Sequence, residues 1–170
     1  MGLPVGLDVA SRAVELGYSS FWTAETTGQE AFSTLAAVGA TNPKLDLGTG
    51  VLALQLRTPM LEAMAAATLQ SLLPDRDVNL GIGISSPVVT QQWHGAPYGE
   101  RPLARVREHL TLIRELFEGE PVTFEGDFYS CKRARLGVKL GDRRPRLVVG
   151  ALNEGMLRLG RAGEPERTRA

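Results

Sequence analysis

The sequence has little of what marks several large protein classes. Its 170 residues contain one cysteine, Cys131. No intrachain disulfide can form, and a reducing, cytosolic setting is expected. There are two histidines, His94 and His109, far apart from each other and from that thiol. Such spacing makes no metal-ligand pattern. Charge of one sign is also lacking, because nineteen basic residues balance nineteen acidic ones. Nothing therefore points to nucleic acid or an anionic membrane as partner. No apolar run reaches the roughly 18 residues of a membrane span, and no basic-then-apolar leader opens the chain. Glycine and proline are plentiful, at nineteen and ten, which suggests many short connections. With 43% hydrophobic and 22% charged residues, the composition suits one globular domain.

The apolar pattern alternates between strand and helix. Asp8 can cap a helix running to Leu16, with Gly17 as its stop. Ser19 to Thr23 reads as a short buried strand ending at the polar Glu25-Thr26-Thr27. Thr27-Gly28-Gln29-Glu30 has the form of a capping box that starts a second helix, ending before Asn42-Pro43. Leu45 to Leu54 is the next strand, and Thr58-Pro59 opens a third helix. After a long loop from Ser85 to Glu100, Leu103, Val106, Leu110, Ile113 and Phe117 recur at helical spacing. His109 is assigned to the outer face of that helix; Arg101 and Arg105 could meet the anionic tail of a ligand, with surface ion pairs to Glu108 as the default. Pro121 to Tyr129 reads as a small hairpin. Arg146 to Gly150 is a fourth strand, followed by a short helix holding Met156, Leu157 and Leu159. Alternating strands and helices predict an α/β fold with a parallel sheet, either doubly wound or part of a (β/α)8 barrel. In both, ligands bind at the carboxyl ends of the strands.

One stretch stands out, Val78 to Gly95. It begins as a buried strand with Gly81 and Gly83 at spacing two, then turns polar through Ser85 and Ser86 and reaches Trp93-His94-Gly95. Two such glycines allow close approach by a neighbouring element or by a flat ligand. The pattern lacks the third glycine and the acid of a dinucleotide fingerprint. It reads equally as a packed core strand with a loop or as the flank of a site.

Five segments in this order resemble the bacterial luciferase-like oxidoreductase family. They are Glu15 to Trp22, Leu47 to Leu52, Val78 to Gly95, Arg101 to Glu108 and Phe124 to Tyr129. Ser86 to Val89 with Trp93-His94-Gly95 is closest to its deazaflavin-dependent branch, which is similar to methylenetetrahydromethanopterin reductase. The resemblance spans residues 8 to 162. It implies a partial TIM (β/α)8 barrel of about four strand–helix units with a small β-hairpin insertion. It also implies coenzyme F-420, or alternatively FMN, at the carboxyl face, and hydride transfer to or from a small organic substrate. The ring would lie against a strand bulge at Gly50-Val51. Ile84, Ser85 and Ser86, then Gly150 and Ala151, fall where the family's strands touch the cofactor. Glu25 and His94 are the candidate catalytic groups; for both, the residues alone favour the plainer description, an exposed solvated acid and a structurally bonded loop histidine.

By the same resemblance the chain begins after the first strand of the barrel and stops after the fifth. Residues 1–162 are then an incomplete barrel domain, and 163–170, charged and without an apolar face, a disordered tail. Two further readings follow. One is an FMN-dependent monooxygenase of the same family. The other is a non-catalytic fragment that associates with copies of itself through exposed sheet edges.

Overall fold

In the computed structural model, which describes residues 2–162, the chain runs α1 (Leu3–Glu15), β1 (Ser20–Thr23), α2 (Ala31–Thr41), β2 (Asp46–Thr49), β3 (Leu52–Ala53), α3 (Pro59–Leu72), β4 (Val78–Gly83), α4 (Pro102–Phe117), β5 (Val122–Glu125), β6 (Ser130–Ala134), β7 (Arg146–Val149) and α5 (Glu154–Ala162). The tail expected to be disordered, 163–170, lies outside the described residues. None of the described helices is long and apolar enough to cross a membrane.

The sheet is parallel throughout. β1 pairs with β2, β2 with β4, and β4 with β7 on its other side. β3 is the continuation of β2 and rejoins β4 after an interruption. Because successive strand side chains face opposite sides, Leu47, Leu52, Val78, Leu80 and Ile82 share one face. All five are buried against helices, Leu47 and Val78 with Leu35, Val38 and Leu69, and Leu80 and Ile82 with Ala63, Leu110 and Ile113. Each helix packs on the next, α1 on α2 through to α4 on α5. One face thus carries all the helices, and the other carries Gly48, Asn79, Gly81 and Gly83. Helices on a single side are the layering of a barrel wall, not of a doubly wound sheet. The fold is a partial (β/α)8 barrel of four strand–helix units, with β5 and β6 as an antiparallel hairpin insertion.

Helix starts show where local chemistry is decisive. At α3, Thr58 caps as expected, its hydroxyl accepting from Leu61 N at 3.2 Å with Pro59 next. At α1 the start is earlier than Asp8, because Pro4 supplies a first-turn residue and Gly2 is already extended as the cap. At α2 the expected reciprocal box does not form. Glu30 is itself the N-cap, its carboxylate accepting from Phe32 N at 3.1 Å and Ser33 N at 2.6 Å.

The hairpin also differs from expectation. Its second strand starts at Ser130, since Gly126 to Tyr129 form the turn, closed by Gly126 N donating to Tyr129 O at 2.9 Å. The Glu108 carboxylate accepts from the amides of Asp127 and Phe128, both at 2.9 Å, so it anchors this turn and does not pair with its own helix. Arg101 accordingly pairs with Asp127 at 2.7 Å, and Arg105 Nε donates to Tyr129 Oη at 3.3 Å.

His109 is fully buried, not outward-facing. Steps of three and four from Val106 to His109 to Ile113 put it on the inner stripe. Its Nε2 lies 2.8 Å from Glu62 Oε2 on α3, and its Nδ1 lies 3.0 Å from Tyr129 Oη. Glu62 is likewise fully buried, and its Oε1 has no hydrogen-bond partner among the described residues. Burial pushes the Tyr129 phenol above its ordinary range; Arg105 pulls it down and the charges of Glu62 and Glu108 push it further up.

Candidate functional site

At the carboxyl end of β2 the strand leaves its ladder. Gly48 is opposite Asn79, but Leu52 is opposite Ile82. Four residues on one strand thus answer three on the other, which is a one-residue bulge. The bulge is Gly50-Val51, where the resemblance places it, and the peptide bond between them is cis. Gly50 N donates to Thr23 O at 2.8 Å, tying the bulge to β1. Gly50 is exposed, and Val51 half-buried.

The glycines of the helix-free face explain how this bulge lies down. A Cβ on Gly83 would be 2.8 Å from Val51 Cγ2, and one on Gly150 would be 3.0 Å from the same methyl. Val51 therefore rests on bare backbone from β4 and from the end of β7. At Gly48 the same is true of Trp22, whose indole occupies the space a side chain would need and whose Nε1 donates to Ser20 Oγ at 3.1 Å. The result is a shallow floor made of Trp22 and Val51 laid on glycine backbone.

The other strand ends surround it. Ile84 and Ser85 follow β4 half-buried, and Ser86 is exposed. Ser86 Oγ accepts from Val89 N at 3.3 Å and its carbonyl from Thr90 N at 3.0 Å. Ser86 thus begins a π-helical turn, Val88–Trp93, inside the long loop read as irregular. Past β7, Gly150 N donates to Ile82 O at 2.8 Å, so its amide is committed to the sheet; Ala151 follows half-buried.

Glu25 lies after β1, but it is not the exposed, solvated acid that its position suggested. Its side chain is only 13% exposed. Oε1 accepts from Ala31 N at 3.2 Å and from Arg57 Nη2 at 2.9 Å, and Oε2 from Arg57 Nε at 3.2 Å. Arg57 also pairs with Glu30 and lies over the Phe32 ring, 5.3 Å from its centroid. Burial opposes ionisation of Glu30, yet the Ser33 and Phe32 hydrogen bonds and the Arg57 charge together hold its carboxyl below the usual range. The Glu25 hydrogen bond is the main cause that raises Arg57 above its already high value, against the opposing effect of burial.

His94 reaches back to the same loop. Its Nε2 lies 2.5 Å from the Thr26 carbonyl, which fixes Nε2 as the protonated nitrogen and leaves Nδ1 with the lone pair in the neutral ring. The ring is exposed. Sequence reasoning missed Arg57, Trp22 and Thr49. Arg57 follows the strand end by a few residues and meets an acid 32 residues away in another loop, and Trp22 shares a register with Gly48; neither contact has a local signal.

Residues 4–164 match the luciferase-like monooxygenase family. A protein of Mycobacterium tuberculosis with the provisional name coenzyme F-420-dependent oxidoreductase is 38% identical over 123 residues, covering 72% of this chain and 35% of that protein. The F-420-dependent glucose-6-phosphate dehydrogenase of Nakamurella multipartita is 37% identical over 130 residues, covering 74% of this chain and 37% of the dehydrogenase. Among solved structures, the coenzyme F-420-dependent tetrahydromethanopterin reductase of Methanopyrus kandleri superposes with a TM-score of 0.82 at 20% identity, over 94% of this chain and 50% of the reductase. That last likeness is one of fold. The chain matches little more than a third of the length of these two curated relatives. With the match spanning nearly all of the described residues, the chain belongs to the luciferase-like monooxygenase family.

Proposed function

We propose that this chain supplies the ring-binding wall of an oxidoreductase that uses the deazaflavin coenzyme F-420 on a small organic substrate. The observation that carries the reading is the floor at the carboxyl end of the sheet. Gly50-Val51 bulges there, Gly50 exposed and Val51 seated on glycine backbone, with Trp22 lying on Gly48 beside it. A flat, largely apolar ring fits such a surface, since Val51 and Trp22 present apolar groups, exposed Gly50 permits close approach, and Ser85 and Ser86 follow at the adjoining strand end. The relatives named for F-420 match this same span, which favours the deazaflavin over FMN.

In this reading Gly50, Val51, Ile84, Ser85, Ser86, Gly150 and Ala151 line the cofactor. Gly150 would contribute space and not its amide, which Ile82 holds. When bound, the coenzyme supplies hydride chemistry, a hydride passing between its ring and a carbon of the substrate. The protein's part is position and proton handling. His94, with Nε2–H held by Thr26, offers Nδ1 to accept a proton and, once charged, to return it. Glu25 has both oxygens occupied, so its role is to fix Arg57 and the loop that carries Thr26. Residues 1–162 form one incomplete barrel domain in this reading.

Titration of the purified chain with coenzyme F-420, followed by the coenzyme's fluorescence, tests this. Saturable binding is expected, weakened when Gly83→Val or Gly150→Val displaces Val51. Absence of binding at tens of micromolar protein overturns cofactor use by this chain. A yellow preparation carrying FMN would transfer the reading to a flavin monooxygenase.

A further inference from the structure

We propose that Thr49 is the positioning residue for the bulge, setting where Gly50-Val51 stands on the sheet through a two-way bond between its hydroxyl and the backbone of Gly81. This rests on the reading that the bulge meets the cofactor, although the positioning itself can be judged without any cofactor.

In a regular parallel pair, the N–H and C=O of one residue point to the same side and bond to backbone groups of the neighbouring strand. Gly81 points both toward β2, where the ladder has already broken after Gly48. There the Thr49 side chain meets both groups of Gly81 with one atom. Gly81 N donates to Thr49 Oγ1 at 2.8 Å, and Thr49 Oγ1 donates to Gly81 O at 2.9 Å. Thr49 is 1% exposed and Gly81 is buried, so water cannot substitute for the hydroxyl.

Two further features make the pair specific. A Cβ on Gly81 would collide with the Thr49 carbonyl oxygen, so β2 crosses directly over bare backbone at this point. The next two residues of β2 are the bulge, and Val51 then drops onto Gly83 and Gly150. Thr49 is therefore the last point at which β2 is held before it leaves the ladder, and Leu52 is the first after it. Only a side chain that both donates and accepts at this length meets both needs of Gly81. Valine has the shape without the hydroxyl, and serine has the hydroxyl without the methyl.

The test compares Thr49→Val and Thr49→Ser with the parent chain by NMR. In the parent, the Gly81 amide is expected to exchange slowly, and the Val51 methyls to show contacts with the α-protons of Gly83 and Gly150. Thr49→Val should speed Gly81 exchange by at least about tenfold and abolish the Val51 contacts, while Leu80–Leu147 contacts across β4 and β7 persist. Thr49→Ser should restore both signals. In the same proteins, Thr49→Val should weaken F-420 binding at least about tenfold and Thr49→Ser by less than about threefold. Unchanged Val51 contacts in Thr49→Val overturn the proposal. Should that variant not fold, a fast-exchanging Gly81 amide in the parent overturns it equally. Val51 contacts that follow the hydroxyl in a chain that binds no F-420 uphold the positioning and reject the cofactor reading.

Discussion

Glu25 and Glu62 are both held by basic side chains, and they are held differently. Glu25 lies after β1, 13% exposed, gripped by Arg57 from the loop that follows β3. Glu62 lies in α3, fully buried, facing His109 on α4, which in turn meets Tyr129 of the hairpin turn. The first is a clamp between two loops at the carboxyl end of the sheet. The second is a bolt between two helices and an insertion, on the outer layer of the barrel wall. The clamp uses charge near water, and the bolt uses hydrogen bonds in a dry place. Loop geometry around the proposed site thus depends on an interaction that solvent weakens, whereas the helical layer depends on one that solvent cannot reach.

The bolt should be the more costly to break. Glu62→Ala leaves His109 Nε2 buried without a partner and opens a cavity, with an expected loss of about 3 kcal/mol by urea denaturation. Arg57→Ala releases Glu25 and Glu30 together, but their freed oxygens lie close to water, and about 2 kcal/mol is expected. Equal losses from the two variants would break the comparison. Arg57→Ala should also loosen the β1–α2 loop in hydrogen exchange while leaving the hairpin amides unchanged, and Glu62→Ala should do the reverse.

Tyr129→Phe is smaller. It removes the hydroxyl shared by His109 and Arg105 but keeps the ring, and about 1 kcal/mol is expected. It also has a pH signature. Burial raises the folded-state pKa of Tyr129 above that of the unfolded chain, near 10. The folded state therefore binds this proton more tightly. Its contribution is whole below pH of about 10 and is lost as pH rises through the raised value. The parent chain should lose stability in that alkaline window, and Tyr129→Phe should lose less.

The clamp and the bolt also show what a sequence can disclose. The order of strands and helices, the capping by Thr58 and the bulge position are readable because each depends on neighbours in the chain or on a shared family pattern. Glu25 was found as a strand-end acid for the same reason. Its burial was not, because Arg57 lies 32 residues away and no local signal announces it. His109 is the instructive miss. Its steps of three and four to Val106 and Ile113 were present in the sequence, but a titratable residue is assigned to the surface by type unless a partner is known. That partner, Glu62, is 47 residues distant on another helix. Thr49 escaped notice in a similar way, since a threonine in a strand is ordinary until its hydroxyl proves to bond both the N–H and the C=O of a glycine 32 residues away.

The smallest effect expected is at Glu30, and it separates the two arrangements at the acid end of the pH scale. Its carboxyl is opposed by burial but held below its ordinary value of about 4.5 by Ser33, Phe32 and Arg57. A depressed folded-state value means that the unfolded chain takes up the proton first as pH falls. The contribution is whole above the unfolded value and is lost as pH drops through the folded one. The parent should therefore weaken below pH of about 4.5, and Glu30→Gln should show a shallower decline there, read from chemical denaturation at a series of pH values. The alkaline decline assigned to Tyr129 should be the same in both proteins, since no contact joins Glu30 to the bolt. Parallel acid profiles for parent and variant would mean that neither the capping amides of Ser33 and Phe32 nor the Arg57 charge favours the Glu30 carboxylate in the folded chain.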